Sequence, residues 1–383
     1  MKFAFCIFKY FPFGGQQKNF LQIAKVCMSR GHEVDIFTTS WQGETPDGFR
    51  VSFISIKGFT HHRQRESLAR RLNEITSVNN YDIIVGFIKM PGLDVYYAAD
   101  TCFAEKAHKK SFLYRLTGRC RSYLRLEREV FDKLSKTHIL LLSEREKAFF
   151  IDYYATPEQR FHLLPPGISK NRLAPPNAME IRNELRSELN IDSDKYVVLM
   201  AGSGFKTKGV DRSIRAVYAL PSRIREKTVL LVVGKGNTKP YKLLTWLLGV
   251  STQVRFIGGR EDIHRFFTAA DLLIHPARLE NTGTALIESM AAGLPVLATD
   301  VCGFSFHIEC AGSGEIIPSP FKQETFNRLL AFMLTSKKKD EWKRNGKEYV
   351  AKVDVFSRAE KAADIIERVA LSNITDGSAL HSA

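Results

Sequence analysis

The sequence lacks the features of membrane-spanning and disulfide-rich proteins. No apolar run in its 383 residues approaches the roughly 20 residues that a helix needs to cross a bilayer, so we predict no transmembrane helix. The six cysteines are scattered without a C-x-x-C pair, which argues against a zinc site or a disulfide framework and favours a reducing cytosol. With 44% hydrophobic and 25% charged residues, the composition is typical of a globular protein, and the length indicates two domains.

Several catalytic motifs are also missing. The chain has no G-x-S-x-G and no P-loop, so hydrolase and ATPase chemistries find no support. His307 near Glu309 lacks a second histidine at ligand spacing, and Asp192–Asp194 is expected to form a solvent-facing turn, so we predict no metal. The short apolar run Phe3–Phe8 has no small-residue cleavage site after it, and we expect a core strand there with no export.

Acidic residues are fewer than basic residues, and the difference is concentrated in one segment of the chain. There are 41 Asp and Glu against 56 Lys and Arg, a net charge of +15 that indicates a polyanionic partner. Within 106–128 the only acid is Glu127, and an apolar stripe with Phe112 beside it recurs at helical spacing: Leu113, Leu116, Cys120, Tyr123 and Leu124. The basic residues of this segment are Lys106, Lys109, Lys110, Arg115, Arg119, Arg121, Arg125 and Arg128.

This pattern predicts one basic amphipathic helix over about 103–132 that binds an anionic membrane surface. A helix docked on its own core with a solvated basic face is an alternative. An RNA-binding face is another, but no aromatic pattern of an RNA-binding module accompanies the segment, and we expect no nucleic-acid partner.

Strand-like and helical runs alternate along the whole chain, which predicts parallel α/β sheets. Pro165–Gly167 and the following polar segment indicate a linker, so we place a domain boundary near Ile168. The expected domains are residues 1–168 and 169–355. A last helix is expected within 356–371, centred on Ala359–Val369, and a flexible polar tail at 372–383. Two Rossmann-like halves are predicted to face each other, with a ligand at the carboxyl ends of both sheets.

Each half places glycines in the loop that follows its first predicted strand. Gly14 and Gly15 do so in the first half, and Gly202 and Gly204 do so in the second. Backbone amides at such turns can approach a phosphate closely, and Lys208 nearby suits a diphosphate. A plain tight turn and a solvated lysine are the alternatives.

The second glycine turn is not a dinucleotide fingerprint. That motif would need a third glycine at the position of Thr207 and an acid after the next strand, where the chain has 234–236 as Gly-Lys-Gly. An oxidoreductase is therefore disfavoured.

The segment Leu272–Gly293 reads as a strand, a loop and a helix that ends at a glycine. Glu280 lies in the loop and Glu288 in the helix. Between them, residues 281–283 open the helix, where free N–H groups can meet a hydroxylated or anionic ligand. An ordinary β-loop-α unit with a buried glutamate is the alternative.

The chain resembles retaining glycosyltransferases of the GT-B fold, in the family GT4. Three features carry the resemblance: this E-x7-E pair, the glycine turn of each half and Lys208. The chain is further similar to the members of that family that build the lipopolysaccharide core, in the blocks Lys9–Gly15, Lys89–Tyr96, Leu164–Ile168 and Lys208–Ser213. The resemblance implies two facing Rossmann-like domains with a cleft between them: an acceptor-binding first domain, a nucleotide-sugar-binding second domain, and a last helix that crosses back to the first.

The resemblance also implies an activity. A hexose, typically glucose from UDP-glucose, would be moved with retention onto heptose I of the lipopolysaccharide inner core in α-1,3 linkage. The acceptor would be the lipid A–inner core oligosaccharide, and the enzyme would be peripheral at the cytoplasmic face of the bacterial inner membrane. The UDP-sugar is a co-substrate, and no cofactor is expected. Retention in this family is usually attributed to same-face attack in which the departing phosphate takes the acceptor's proton, so no protein nucleophile is required.

Residue roles follow from the same resemblance. Glu280, with the amides of Asn281, Thr282 and Gly283, would bind the sugar hydroxyls, and Glu288 the ribose. Lys208 and Arg172 would hold the diphosphate as negative charge builds on the leaving UDP. The remaining roles fall to residues elsewhere in the chain: Gly14 and Gly15 would approach the diphosphate, Arg260 with Gly259 would lie by the uracil, and Asp100 and Lys89 would lie near the acceptor or the sugar, Asp100 with a catalytic role.

Two positions depart from the family pattern. Related enzymes often carry an acid in the first helix where this chain has Asn19, and a basic residue where it has Thr207. Asn19 cannot act as a base, and Lys206 is expected to replace the missing basic residue in donor binding. Two alternatives stay open: another donor, such as UDP-N-acetylglucosamine or UDP-galactose, and a non-catalytic basic module that binds membrane or nucleic acid.

Overall fold

The computed structural model describes residues 1–12 and 14–380, with side chains described through residue 375. Phe13, part of the Lys9–Gly15 block, and residues 381–383 of the expected tail lie outside the described residues. The chain divides into two compact units: unit 1 comprises Met1–Gly167 and Ser357–Ala383, and unit 2 comprises Ile168–Phe356. These bounds differ by one residue from the boundaries expected at 168 and 355.

Unit 1 is built on a seven-stranded sheet in which every paired strand is parallel. Its strands are β1 (Lys2–Cys6), β2 (Glu33–Thr38), β3 (Arg50–Phe53), β4 (Ile83–Gly86), β5 (Val95–Ala98), β6 (His138–Leu141) and β7 (Phe161–Leu163). The order β3-β2-β1-β4-β5-β6-β7 reverses direction between β1 and β4. In open α/β sheets such a reversal is where ligands bind, at the carboxyl ends of the strands.

Unit 2 repeats this plan with six parallel strands in the order β10-β9-β8-β11-β12-β13. They are β8 (Tyr196–Ala201), β9 (Thr228–Val233), β10 (Val254–Gly258), β11 (Leu272–His275), β12 (Val296–Thr299) and β13 (Gly314–Ile317). The reversal lies between β8 and β11, so the loops after these two strands share one edge of the sheet. The predicted α/β class with two Rossmann-like domains is confirmed.

Helices cover both faces of each sheet, which explains why the strands are apolar on both sides. Those of the first part of unit 1 are α1 (Gly15–Ser29), α2 (His61–Val78), α3 (Phe103–His108), α4 (Phe112–Arg115), α5 (Gly118–Phe131) and α6 (Glu144–Tyr154). Those of unit 2 are α7 (Ala178–Glu188), α8 (Phe205–Lys208), α9 (Val210–Tyr218), α10 (Ser222–Arg225), α11 (Lys239–Leu247), α12 (Ile263–Ala269), α13 (Thr284–Ala291), α14 (Ser305–Ala311), α15 (Gln323–Thr335) and α16 (Lys339–Lys352).

The last helix, α17 (Arg358–Leu380), belongs to unit 1 and packs against α1 and β4. Its buried residues Ala362 and Ile366 join the core cluster that contains Phe5 and Phe20. Arg30 at the end of α1 pairs with Asp364 at 2.8 Å. Within the tail expected at 372–383, residues 372–380 continue α17.

The predicted single helix over about 103–132 is wrong, because the structure has three short helices there: α3, α4 and α5. Ser111 and Thr117 explain the interruptions. Each accepts a hydrogen bond from a backbone N–H three residues on, Ser111 Oγ from Tyr114 N at 3.4 Å and Thr117 Oγ1 from Cys120 N at 3.2 Å. Such side chains start a new helix and thereby end the previous one.

Among residues 1–12 and 14–380, none of the helices combines the length and the apolar character needed to cross a membrane.

Candidate functional site

The loops after β8 and β11 meet at the reversal point of unit 2. There the ammonium of Lys208 forms an ion pair with the carboxylate of Glu280, and both side chains are largely buried. His275, the last residue of β11, places its Nε2 3.3 Å from the same carboxylate. The structure thus brings together the two predicted catalytic residues of this half and adds a histidine that the sequence analysis missed.

Glycines fix where Lys208 lies. Gly204 and Gly209 flank α8, and both have a φ of +78° that other residues rarely adopt. A Cβ atom at Gly209 would lie only 2.2 Å from the carbonyl oxygen of Pro276. The turn that carries Lys208 therefore touches the backbone that follows β11, and only glycine permits this approach.

Two arginines hold the same loops together. Arg278 pairs with Asp211 through two hydrogen bonds of 2.8 and 2.7 Å, and its backbone N–H donates to the carbonyl of Thr207 at 2.8 Å. Arg212 donates to the carbonyls of Pro276 and Ala277, both at 3.1 Å. Sequence reasoning missed these residues, since the partners of their side chains lie 64 to 67 positions away in the chain.

The loop from Glu280 to Gly283 is fixed against the segment that follows β12. Gly303 donates its N–H to the carbonyl of Glu280 at 3.3 Å, and Phe304 donates to that of Thr282 at 2.8 Å. Gly283, with a φ of +94°, is the residue directly before α13. The chain here turns sharply into a helix whose first N–H groups lack intrahelical partners, an arrangement that suits a ligand with hydroxyl or anionic oxygens.

Arg172 and Glu288 form a second ion pair in unit 2. Arg172 Nε lies 2.8 Å from Glu288 Oε1, and both side chains are largely buried. Arg172 Nη1 is buried and has no hydrogen-bond partner among the described residues. The resemblance gave these two residues separate parts of the donor, the diphosphate and the ribose, and the structure places them in direct contact.

Burial controls the protonation of this site. It lowers the pKa of His275 well below its ordinary range, and the positive charge of Lys208 lowers that pKa further. His275 is therefore neutral, and since a carboxylate only accepts hydrogen bonds, its Nε2 carries the proton facing Glu280. Burial also lowers the pKa of Lys208.

The other predicted donor-binding residues occupy separate positions. Gly14 and Gly15 lie in unit 1 at the start of α1, and a Cβ at Gly15 would meet nothing within 4 Å. Lys206 is exposed on α8. Arg260 follows β10 and binds Asp262 through two hydrogen bonds of 2.7 Å, a partner that the sequence analysis did not foresee.

Asp192 and Asp194 lie in an exposed turn before β8, and Asp194 pairs with Lys227 at 2.8 Å. Across the part of the chain that the structure describes, no three His, Cys, Asp or Glu side chains cluster as metal ligands would.

Asp100 and Lys89 line a cavity of about 340 Å³ in unit 1, in the segments that follow β5 and β4. Lys106 and Arg119, both predicted to bind the membrane, line the same cavity. Lys89 forms an ion pair with Glu127. Glu127, the lone acid of the basic segment, is completely buried and therefore does not lie on an exposed helix face.

The rest of the basic segment is more exposed but partly paired. Lys109 pairs with Glu105 at 2.7 Å, and Arg125 pairs with Glu66. The predicted apolar stripe is wrong as a continuous surface, since Cys120 is fully buried whereas Leu113 is 76% exposed. We call the surface formed by the exposed apolar residues and their unburied basic neighbours the apolar–basic patch: Phe112, Leu113, Leu116, Lys109, Lys110, Arg115 and Arg121.

The comparison with known proteins decides the family. Residues 13–172 match the family model for Glycosyltransferase Family 4, and residues 181–349 match that for Glycosyl transferases group 1. The chain belongs to these glycosyltransferases. It is 42% identical over 365 residues to the lipopolysaccharide glucosyltransferase WaaG of Escherichia coli (strain K12), covering 95% of this chain and 98% of WaaG. This glycosyltransferase is a sugar-transferring enzyme, which rules out the non-catalytic alternative.

Solved structures agree with the GT-B fold of this glycosyltransferase. The crystal structure of WaaG is similar with a TM-score of 0.90, covering 95% of this chain and 99% of that one. The structure of Anabaena HepE in complex with UDP has a TM-score of 0.71 at 18% identity, covering 96% of this chain and 100% of HepE. At that identity the likeness concerns the fold alone. The predicted fold class is confirmed.

Proposed function

We propose that this glycosyltransferase moves glucose from UDP-glucose onto heptose I of the lipopolysaccharide inner core, with retention and in α-1,3 linkage. The observation that carries the proposal is the 42% identity to a lipopolysaccharide glucosyltransferase over nearly the full length of both chains. The contact between Lys208 and Glu280 supports it, because a cation and a hydroxyl-binding carboxylate lie side by side at a sheet edge that suits a ligand.

In this proposal the donor lies along the loops of unit 2. Glu280 and the amides of residues 281–283 bind the glucose hydroxyls. Lys208 holds the diphosphate and stabilises the negative charge that grows on it as the glycosidic bond breaks. His275 donates to Glu280 and thereby keeps that carboxylate oriented as an acceptor.

Arg172 and Glu288 bind the UDP part of the donor. Glu288 accepts hydrogen bonds from the ribose hydroxyls, and its ion pair with Arg172 fixes the carboxylate in place. The buried Nη1 of Arg172 is a donor suited to a diphosphate oxygen. Arg260 with Gly259 stands by the uracil, and Lys206 supplements Lys208.

The acceptor is presented by a membrane, and the apolar–basic patch supports binding there. Phe112 and Leu113 are 66% and 76% exposed, and basic side chains surround them in the sequence. An apolar side chain that inserts between headgroups, with lysines and arginines near anionic lipid, is the usual basis of peripheral binding. We place the enzyme at the cytoplasmic face of the inner membrane.

A donor panel tests the proposal. Purified enzyme is given lipopolysaccharide that ends at the inner-core heptoses, with UDP-glucose, UDP-galactose or UDP-N-acetylglucosamine, and the product linkage is read by NMR. We expect the highest kcat/KM with UDP-glucose and an α-1,3 product on heptose I. A higher kcat/KM with another donor overturns the assignment of glucose, and absence of transfer to this acceptor overturns the assignment of the lipopolysaccharide core.

A further inference from the structure

The cavity of unit 1 is lined by more cationic than anionic side chains. Four cationic side chains line it, those of Arg65, Lys89, Lys106 and Arg119, and Asp100 is the acidic side chain among its lining residues. Glu127, which is completely buried and is not among the lining residues, forms an ion pair with Lys89. The buried carboxylate of Glu146 also acts on Lys106. Four cations against these three carboxylates leave one positive charge in excess.

Lys106 is one of these cations. Its ammonium is half-buried, and among the described residues it forms no salt bridge. Burial lowers its pKa, while the negative charge of Asp100 acts in the opposite direction. A cation held away from water without a bonded counter-ion is unfavourable, so an anionic ligand in the cavity would stabilise it.

Thr101 gives a second observation that favours a ligand in the cavity. Its side chain is only 7% exposed and lines the cavity, yet its hydroxyl has no hydrogen-bond partner among the described residues. Buried hydroxyls are almost always hydrogen-bonded, so one without a protein partner at a cavity wall is available to a bound ligand.

The cavity wall is held rigidly by Glu127. Its carboxylate accepts hydrogen bonds from the backbone N–H of Phe103 and Ala104, each at 2.9 Å, and from the hydroxyl of Tyr154 at 2.9 Å. These contacts fix the start of α3, which carries Lys106. The attraction of Lys89 and the backbone hydrogen bonds outweigh burial and lower the pKa of Glu127, so it stays ionised.

The rest of the lining suits a saccharide. Tyr123 and Phe103 present aromatic rings whose centroids lie 5.2 Å apart, and such rings pack against the apolar faces of sugars. Asp100 offers carboxylate oxygens to hydroxyl groups. A purely ionic ligand would need neither feature.

We propose that this cavity is the acceptor subsite and that Lys106, Arg119 and the Thr101 hydroxyl bind an anionic substituent, a phosphate or a carboxylate, of the acceptor saccharide. The proposal rests on the proposed function in taking the acceptor to be a saccharide. Lys106 and Arg119, which the sequence predicted to bind the membrane, bind the acceptor in this proposal.

The test uses the full-length enzyme, UDP-glucose and the inner-core oligosaccharide freed of lipid, so that no headgroup contributes. The same oligosaccharide is also prepared after phosphatase treatment and after chemical reduction of its carboxyl groups, which separates the two sources of negative charge. Lys106→Gln and Thr101→Val are compared with the control Lys133→Gln, an exposed lysine outside the cavity.

We expect Lys106→Gln to raise the acceptor KM about tenfold or more, as for the loss of a hydrogen bond between charged groups, while the KM for UDP-glucose stays the same. Whichever treatment removes the bound anion should raise the wild-type acceptor KM similarly and abolish the difference between wild type and Lys106→Gln. Thr101→Val should raise the acceptor KM without lowering the melting temperature, because it removes a hydroxyl that lacks a partner.

An unchanged acceptor KM in both variants, with normal transfer by the wild type, overturns the subsite. So does an effect of Lys106→Gln that appears only with lipid-linked acceptor, since the anion would then be a headgroup. Absence of transfer from UDP-glucose by the wild type would instead overturn the proposed function.

Discussion

Lys208 and Glu280 form an ion pair between the loops that follow two neighbouring parallel strands, β8 and β11. The pair is not isolated, because His275 and the glycine turn at Gly209 constrain its two members from both sides. This network holds a positive and a negative group in fixed positions before any ligand arrives, which is the condition for electrostatic stabilisation of a charged transition state.

We expect Glu280→Gln to lower kcat/KM for UDP-glucose about tenfold to a hundredfold, since a carboxylate acceptor for sugar hydroxyls is lost. Glutamine has nearly the same shape, and its amide oxygen can still accept from Lys208, so the circular dichroism spectrum should be unchanged. Glu309→Gln, on an exposed glutamate of α14, is the matched control. Equal turnover by wild type and Glu280→Gln would contradict the assigned role.

We expect Gly209→Ala both to destabilise unit 2 and to abolish glucosyl transfer. The new Cβ would lie 2.2 Å from Pro276 O, in addition to the strain of a φ of +78°. Gly249→Ala is the control, with a φ of +67° but nothing within 4 Å of its Cβ, so it reports the backbone strain alone, about 1 kcal/mol.

Urea unfolding of the two glycine variants separates these contributions. We expect the free energy of unfolding to fall by at least about 2 kcal/mol more in Gly209→Ala than in Gly249→Ala. Equal losses would mean that the close approach to Pro276 does not constrain the turn.

The apolar–basic patch should bind anionic vesicles in a salt-dependent way. Replacing Lys109, Lys110 and Arg115 with Gln removes three charges at about 1 kcal/mol each near anionic lipid, so the partition coefficient should fall by up to about a hundredfold. Replacing Phe112 and Leu113 with Ser should weaken binding even at high salt, since insertion is apolar.

Vesicle sedimentation at several salt concentrations measures both effects. Leu134→Ser is the control, because Leu134 is 83% exposed but lies outside the patch. Salt-independent binding of the wild type would argue against an electrostatic contribution, and an effect of Leu134→Ser as large as that at Leu113 would argue against this location.

Acid should destabilise the enzyme in part through His307. Burial lowers its pKa from 6.5 to about 4, and its Nδ1 lies 2.7 Å from the hydroxyl of Tyr349. Between these two pH values the unfolded chain binds a proton that the folded chain does not. The free energy of unfolding is therefore at its full value above about pH 6.5 as far as His307 is concerned. It falls by at most about 3 kcal/mol as the pH drops from 6.5 towards 4.

Urea unfolding at a series of pH values compares wild type with His307→Gln. We expect a shallower loss of stability between pH 6.5 and 4 in the variant, with His162, whose pKa is also about 4, still contributing in both proteins. Identical slopes would show that His307 does not titrate in this range.

Local patterns in the sequence predicted much of this molecule. The alternation of strands and helices gave the two parallel α/β units, and Pro165–Gly167 placed their boundary within a residue. The glycines around Lys208 and the loop that holds Glu280 were visible because backbone turns depend on nearby residues. The helix breaks at Ser111 and Thr117 also had a local signal, two good N-cap residues, which the strong amphipathic pattern outweighed.

Contacts between distant segments were decided by the tertiary structure alone. In the sequence, Glu127 is one acid among many bases, and only the packing of α5 against α3 and α6 buries it as the partner of Lys89 and of the backbone that starts α3. Likewise, Arg278 meets Asp211 because β8 and β11 are neighbours in the sheet, an order that no local pattern encodes. The sequence determined which residues carry charge and where the chain turns, and the tertiary structure determined which of those charges face each other, because burial and strand order depend on the whole fold.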